Sequence, residues 1–217
     1  MTLLGELATT FLLVYAGLFP IVNPIGGALI FLAMTRSCSD IERNKLAMDV
    51  AINCFILLVV SMFIGSYVLE FFGITLPILR VAGGLVVTAA GWNLLQGGNA
   101  EDAGPISREP EKPVDSFYPL TMPITVGPGS LTVAISIASQ RPYGDWGELA
   151  LISGAAGVGL FGITLTIYVC YRFAEATVGV VGEHGINVLV RVSAFILLCI
   201  GIEIFWSGLS TLLHIQN

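Results

Sequence analysis

Two short stretches of this chain set proline, glycine and small polar residues inside otherwise apolar sequence. The first reads Leu18-Phe19-Pro20-Ile21-Val22-Asn23-Pro24-Ile25-Gly26-Gly27, and the second Thr121-Met122-Pro123-Ile124-Thr125-Val126-Gly127-Pro128-Gly129-Ser130. Proline removes a backbone donor and disfavours helix at the residue before it, so a helix meeting Pro24 or Pro128 is expected to stop and restart. A restarted helix offers unpaired N–H groups and the positive end of its dipole, which together attract an anion. Those groups are expected at Ile25, Gly26 and Gly27 in one break and at Gly129, Ser130 and Leu131 in the other. The preceding pieces end in carbonyls near Pro20–Val22 and Ile124–Val126, which suit an ammonium group. Asn23, Thr125 and Ser130 add side-chain dipoles, while Gly26, Gly27, Gly127 and Gly129 allow close approach of a ligand to the backbone. The candidate site is therefore Asn23, Pro24, Ile25, Gly26, Gly27, Thr125, Val126, Gly127, Pro128, Gly129 and Ser130. Its chemistry fits a small zwitterion held without any Lys or Arg. A single break of this kind reads as a packing kink; two at matching places read as a transporter binding site.

Three charged residues stand out beside the breaks. Glu203 lies in an apolar run, 12 residues and so about 18 Å along a helix from Arg191. It reads equally as a coupling or gating carboxylate and as a structural hydrogen-bond acceptor for Asn93 or Trp92. Arg80 and Arg191 head two related apolar segments, where such side chains snorkel, cap loop carbonyls or gate a pathway. Cys38, Cys54, Cys170 and Cys199 fit neither a disulfide framework nor a metal motif. His184 and His214 have no partner at metal spacing. The apolar segments hold no Ser/His, Asp/Asp or His-Glu-x-x-His constellation, so no catalytic residue, metal or cofactor is expected.

These residues sit in a chain of 217 residues that is 55% hydrophobic and 11% charged, less than half the charge of an ordinary soluble domain. That composition predicts an integral membrane protein and gives no basic patch for nucleic acid. The N-terminus lacks a basic region before its first apolar run, so no cleaved signal peptide is read. Six segments are long enough to span: Leu3–Met34, Leu46–Phe72, Leu76–Gln96, Tyr118–Ser139, Leu149–Tyr171 and Val188–Leu213. The breaks divide the first and fourth. Residues Gly97–Ser116, rich in charge and proline, read as a polar cytoplasmic linker between residues 1–96 and 117–217. With the N-terminus outside, seven of the nine Lys and Arg residues fall on the cytoplasmic side, Arg80 and Arg141 being the exceptions; both termini are then periplasmic. Pro24 and Pro128 are 104 residues apart, and Arg80 and Arg191 are 111 apart. Three spans per half place the second half upside down, so the fold class expected is all-α, with six transmembrane helices in two inverted three-helix repeats.

Asn23-Pro24-Ile25-Gly26 with Phe31-Leu32-Ala33-Met34-Thr35, Leu79-Arg80-Val81-Ala82-Gly83-Gly84, Pro123 through Gly129, and Arg191-Val192 with Ile200-Gly201-Ile202-Glu203 together resemble the MarC family. The resemblance covers nearly the whole chain. It is also distantly similar to the lysine-exporter superfamily, and departs from the MarC pattern at Ser193-Ala194, where relatives often carry Met-Gly. The resemblance implies a six-span protein of the bacterial inner membrane, with relatives that move small neutral amino acids such as glycine and alanine. The expected function is secondary transport of such an amino acid by alternating access, with a proton or sodium as coupling ion and a homo-oligomer as the assembly. The alternative is a passive channel or exporter for another small solute or anion.

Overall fold

The computed structural model describes residues 3–96, 114–139 and 146–213. Most of the Gly97–Ser116 linker, Arg141, His214 and the terminal residues lie outside the described residues, as does the His184 side chain. The described chain is helical throughout: α1 Leu3–Val22, α2 Pro24–Met34, α3 Asp40–Phe71, α4 Leu76–Leu95, a π-wound segment Ser116–Thr125, then α5 Pro128–Ser139, α6 Trp146–Arg172 and α7 Ala174–Leu212. Five of these helices are long and apolar enough to span a membrane. The π segment and α5, bent by 67° at their junction, make a sixth candidate.

Helix ends follow local chemistry more than apolar pattern. The second segment begins at Asp40 rather than Leu46, because Ser39 and Glu42 form a capping box. The Glu42 carboxylate accepts the Ser39 N–H at 2.8 Å, and the Ser39 hydroxyl accepts the Glu42 N–H at 3.4 Å. The resulting 32-residue helix is about 48 Å long. The last segment begins at Ala174 rather than Val188. No proline interrupts residues 174–187, and only Phe173 separates α6 from α7. Of the 39 residues of α7, the apolar spanning stretch is Val190–Leu212.

Two packing units result. Buried side chains of α1, α2, α3, the π segment and α6 form the main core, with Val14, Leu18, Phe31, Leu58, Leu160 and Ile163 all fully enclosed. The α4 and α7 helices form the most extensive helix pair. Gly84 lies against the Phe205 backbone and the Gly201 carbonyl, Gly91 against the Leu198 backbone and the Ala194 carbonyl, and Gly208 against Pro77 and Val81. As numbers rise on α4 they fall on α7, so the pair is antiparallel. The small residues recur every seven positions on both helices, 84 and 91 against 194, 201 and 208. Such spacing lets two backbones approach closely where lipid supplies no hydrophobic drive for association.

Candidate binding site

Both expected breaks are present. At the first, Asn23 adopts the left-handed conformation, φ 46° and ψ 62°, a region that Asn tolerates better than most L-residues. Its N–H closes α1 on the Phe19 carbonyl at 3.0 Å, and its own carbonyl opens α2 by accepting the Gly27 N–H at 2.8 Å. Its side-chain Oδ1 accepts the Gly26 N–H at 3.3 Å. Pro24 occupies the first helical position, where the missing donor costs nothing.

The second break is built differently. Pro119 and Pro123 lie inside the π segment, each following a cis peptide, and Tyr118 and Met122 have extended dihedrals. Hydrogen bonds of i to i−5 spacing hold the segment: the Val126 N–H to the Thr121 carbonyl at 2.9 Å, and the Thr125 hydroxyl to the Leu120 carbonyl at 2.7 Å. After the bend, the Gly127 N–H donates to Ser130 Oγ at 3.1 Å, and the Leu131 N–H donates to the Gly127 carbonyl at 3.2 Å.

This corrects the expectation of vacant donors for three of the six groups, whereas the N–H groups of Ile25, Gly129 and Ser130 have no acceptor among the described residues. Gly26, Gly27 and Leu131 each have an acceptor. Those of Gly27 and Leu131 are backbone carbonyls at ordinary helical spacing; that of Gly26 is a side chain. At the second break the side-chain-capped donor is Gly127, one residue before α5 rather than inside its first turn.

The structure brings the two breaks together. Ile21, before the first, lies against Gly129, after the second. Between them stands Tyr171 of α6, which is 1% exposed. Its hydroxyl is 2.7 Å from Thr125 Oγ. Because the Thr125 hydroxyl already donates to Leu120, the phenol is the donor in this pair. The Tyr171 ring stacks on Phe31 of α2, with centroids 4.7 Å apart, and its hydroxyl lies 2.5 Å from where a Cβ on Gly27 would sit. The glycine faces of both breaks are thus occupied: Gly26 by the Asn23 amide, Gly27 by Tyr171, Gly129 by Val87 and Ile21. Tyr171 escaped the sequence reading because nothing local marks a tyrosine in an apolar run. One available signal was the doubled pattern Tyr118-Pro119-Leu120-Thr121 and Met122-Pro123-Ile124-Thr125, which sets two threonines four apart and buries both.

A charged contact lies close by. Arg43 donates through Nη1 to Glu175 and to Asp40, and through Nη2 to the carbonyls of Thr35 and Cys38 at 3.5 and 3.4 Å. Its side chain is 12% exposed. It ties the loop after α2 to the start of α7, four residues beyond Tyr171.

The expected charged residues stand elsewhere. Arg80 donates through Nε to Ser136 Oγ at 2.8 Å, bridging α4 to α5 rather than capping a loop. Arg191 is exposed on α7. Glu203 is exposed, with no hydrogen-bond partner among the described residues. Neither Trp92 nor Asn93 reaches it, because the antiparallel register sets Gly91 beside Ala194 and Leu198, more than a turn away.

The comparisons with known proteins agree with this architecture. The model of the family described as "MarC family integral membrane protein" matches residues 8–213. A membrane protein of Buchnera aphidicola subsp. Schizaphis graminum is 30% identical over 204 residues, covering 92% of this chain and 93% of its own. An inner membrane protein named MarC from Salmonella typhimurium is 30% identical over 203 residues, covering 88% and 90%. A protein of the same name from Escherichia coli strain SMS-3-5 is 28% identical over the same shares. No solved structure matches the chain. A helical protein with five to six membrane-spanning helices, matched by the family model over nearly its whole length, this chain belongs to the MarC family of integral membrane proteins.

Proposed function

We propose that this chain is a secondary transporter of the inner membrane, carrying a small neutral amino acid such as glycine or alanine by alternating access. The observation that carries the reading is the meeting of two helix breaks, 104 residues apart in sequence, on one buried tyrosine. Irregular backbone at membrane depth is tolerated only where protein or a cavity satisfies it. Paired broken helices are where transporters of inverted-repeat design bind their substrates. The antiparallel α4–α7 pair fits such a repeat: under a shift of 110 residues Gly84 maps to Ala194 and Gly91 to Gly201. The Gly84–Gly201 and Gly91–Ala194 contacts then exchange with each other.

In this reading the conformation with Tyr171 against Gly27 and Val87 against Gly129 is the closed one. A carboxylate binds by replacing Asn23 Oδ1 on the Gly26 N–H and Ser130 Oγ on the Gly127 N–H. Both caps are side chains and can rotate away, whereas the backbone acceptors of Gly27 and Leu131 cannot. Tyr171 must leave Gly27, and Val87 must leave Gly129, before a ligand fits. The space vacated is small, which favours a small side chain. Arg43 and Glu175 then fasten the cytoplasmic side, both termini are periplasmic, and a proton or sodium ion couples transport.

Thermal unfolding of the purified protein with each amino acid tests this, because a ligand of the native state stabilises it by about 2.7 kcal/mol at a hundred times its Kd. Glycine and alanine should raise the transition temperature, while leucine, phenylalanine and glycinamide should not. Equal shifts with large and small amino acids, or none, overturn the substrate assignment. Counterflow in proteoliposomes separates a carrier from a channel, which shows none.

A further inference from the structure

We propose that the uncovered face of α7 is a dimer interface, on which two copies of this chain meet with Glu203 near the twofold axis. The inference does not depend on what the protein transports.

It starts from a carboxylate in a costly place. Glu203 lies 13 residues from the start and nine from the end of the apolar stretch Val190–Leu212, so more than about 13 Å of helix separates it from either end. It is exposed, and no group among the described residues pairs with it. Carboxylates inside membrane spans are rare and almost always face protein or water. Within its own chain neither Thr88, which donates to the Gly84 carbonyl, nor Arg80, which donates through Nε to Ser136, pairs with it.

The pattern of the same face indicates what covers it. The Ala194, Gly201 and Gly208 seam of α7 is covered by α4. A second seam, Val188, Val192, Phe195, Cys199, Ile202 and Trp206, is exposed at every position. Its steps are four, three, four, three and four, the heptad spacing by which two helices stay in register along one face. Glu203 flanks this seam. Trp206, 43% exposed, supplies an indole N–H, which is a donor and never an acceptor.

A twofold axis along the membrane normal sets the two α7 helices side by side, with equal residues at equal depth. Glu203 then lies within one turn, about 4.5 Å of rise, of the partner's Trp206, and the reverse pairing follows by symmetry. An unrelated protein would need its own donor at this depth. A second copy brings the donor and the matching heptad together, so the occupant is another molecule of this chain.

Native Cys199 makes the proposal directly testable. It lies on the seam one turn before Glu203, and a disulfide forms only when the two Cα atoms come within about 7 Å. Oxidising membranes with copper phenanthroline should give a band of twice the chain mass that dithiothreitol reverses and Cys199→Ser removes. In the Cys199→Ser background, Leu12→Cys and Phe161→Cys, which replace equally exposed residues of α1 and α6, should give no such band. Single-molecule photobleaching in liposomes should show two-step events that dilute with lipid. Glu203→Leu should weaken the dimer roughly tenfold, and Glu203→Gln, which keeps an acceptor, by much less. Single-step bleaching at every protein-to-lipid ratio overturns the proposal. So does a dimer indifferent to Glu203→Leu, or one that cross-links as readily from residue 12 or 161 as from 199.

Discussion

The contact between Gly27 and Tyr171 can be broken and mended in a defined way. A methyl group added at Gly27 would lie 2.5 Å from Tyr171 Oη, but 3.3 Å from Cζ and 3.4 Å from Cε1. The clash is therefore with the hydroxyl, and the ring beneath needs to yield only a few tenths of an ångström. Gly27→Ala alone must push the phenol off its place, which loses the Thr125 hydrogen bond and strains the stack on Phe31. Overpacking of this kind costs about 1–3 kcal/mol. Tyr171→Phe alone loses one buried hydrogen bond, about 0.5–1.5 kcal/mol, and leaves Thr125 still bonded to Leu120. In the double variant the offending oxygen is gone, so the alanine should fit at little further cost. The coupling should be about 1–2 kcal/mol in favour of the double variant, well beyond the 0.3–0.5 kcal/mol scatter of additive sites. Alanine's better helix propensity enters equally in both backgrounds and cancels in the cycle. Reversible unfolding in mixed detergent–lipid micelles measures all four corners. Additive losses would show that the phenol does not press on Gly27.

Two other contacts carry similar tests. Gly201→Ala places a Cβ against the Thr88 backbone nitrogen, which cannot step aside, and should cost at least about 2–3 kcal/mol as α4 and α7 part; Gly154→Ala and Gly157→Ala, inside α6 with nothing within 4 Å, should instead stabilise by up to about 1 kcal/mol in the same unfolding assay. At the Arg43 clasp, Glu175→Gln removes one exposed ion pair and should cost less than about 1 kcal/mol, whereas Arg43→Gln also frees the Thr35 and Cys38 carbonyls and should speed amide exchange across residues 35–39.

What could be read from the sequence, and what could not, divides along a physical line. The breaks at Asn23-Pro24 and Gly127-Pro128 were legible because proline acts on its own neighbours. The start of α3 at Ser39 was equally local, but the apolar pattern pointed past it to Leu46. The facing of Glu203 depends on how α7 is rotated against α4, and that is fixed by Gly84 and Gly91 meeting Ala194 and Gly201. The heptad spacing of those residues stands in the sequence, yet only the pairing of the two helices gives it meaning. Tyr171 is the extreme case. Its importance comes wholly from Gly27, Phe31 and Thr125, which arrive from two distant segments.

The same distinction explains why three of the expected vacant donors, those of Gly26, Gly27 and Leu131, are filled. An N–H left unpaired within a membrane costs several kcal/mol, so a binding site is stabilised between substrates by covering the donors it can. It needs an acceptor that holds the place and then yields it. A backbone carbonyl in helical register holds but does not yield. A short polar side chain does both, and the chain puts one at each break, Asn23 Oδ1 on Gly26 at 3.3 Å and Ser130 Oγ on Gly127 at 3.1 Å. On the proposed function, the residues that define the site are therefore these two caps and the donors they release, together with the N–H groups of Ile25, Gly129 and Ser130.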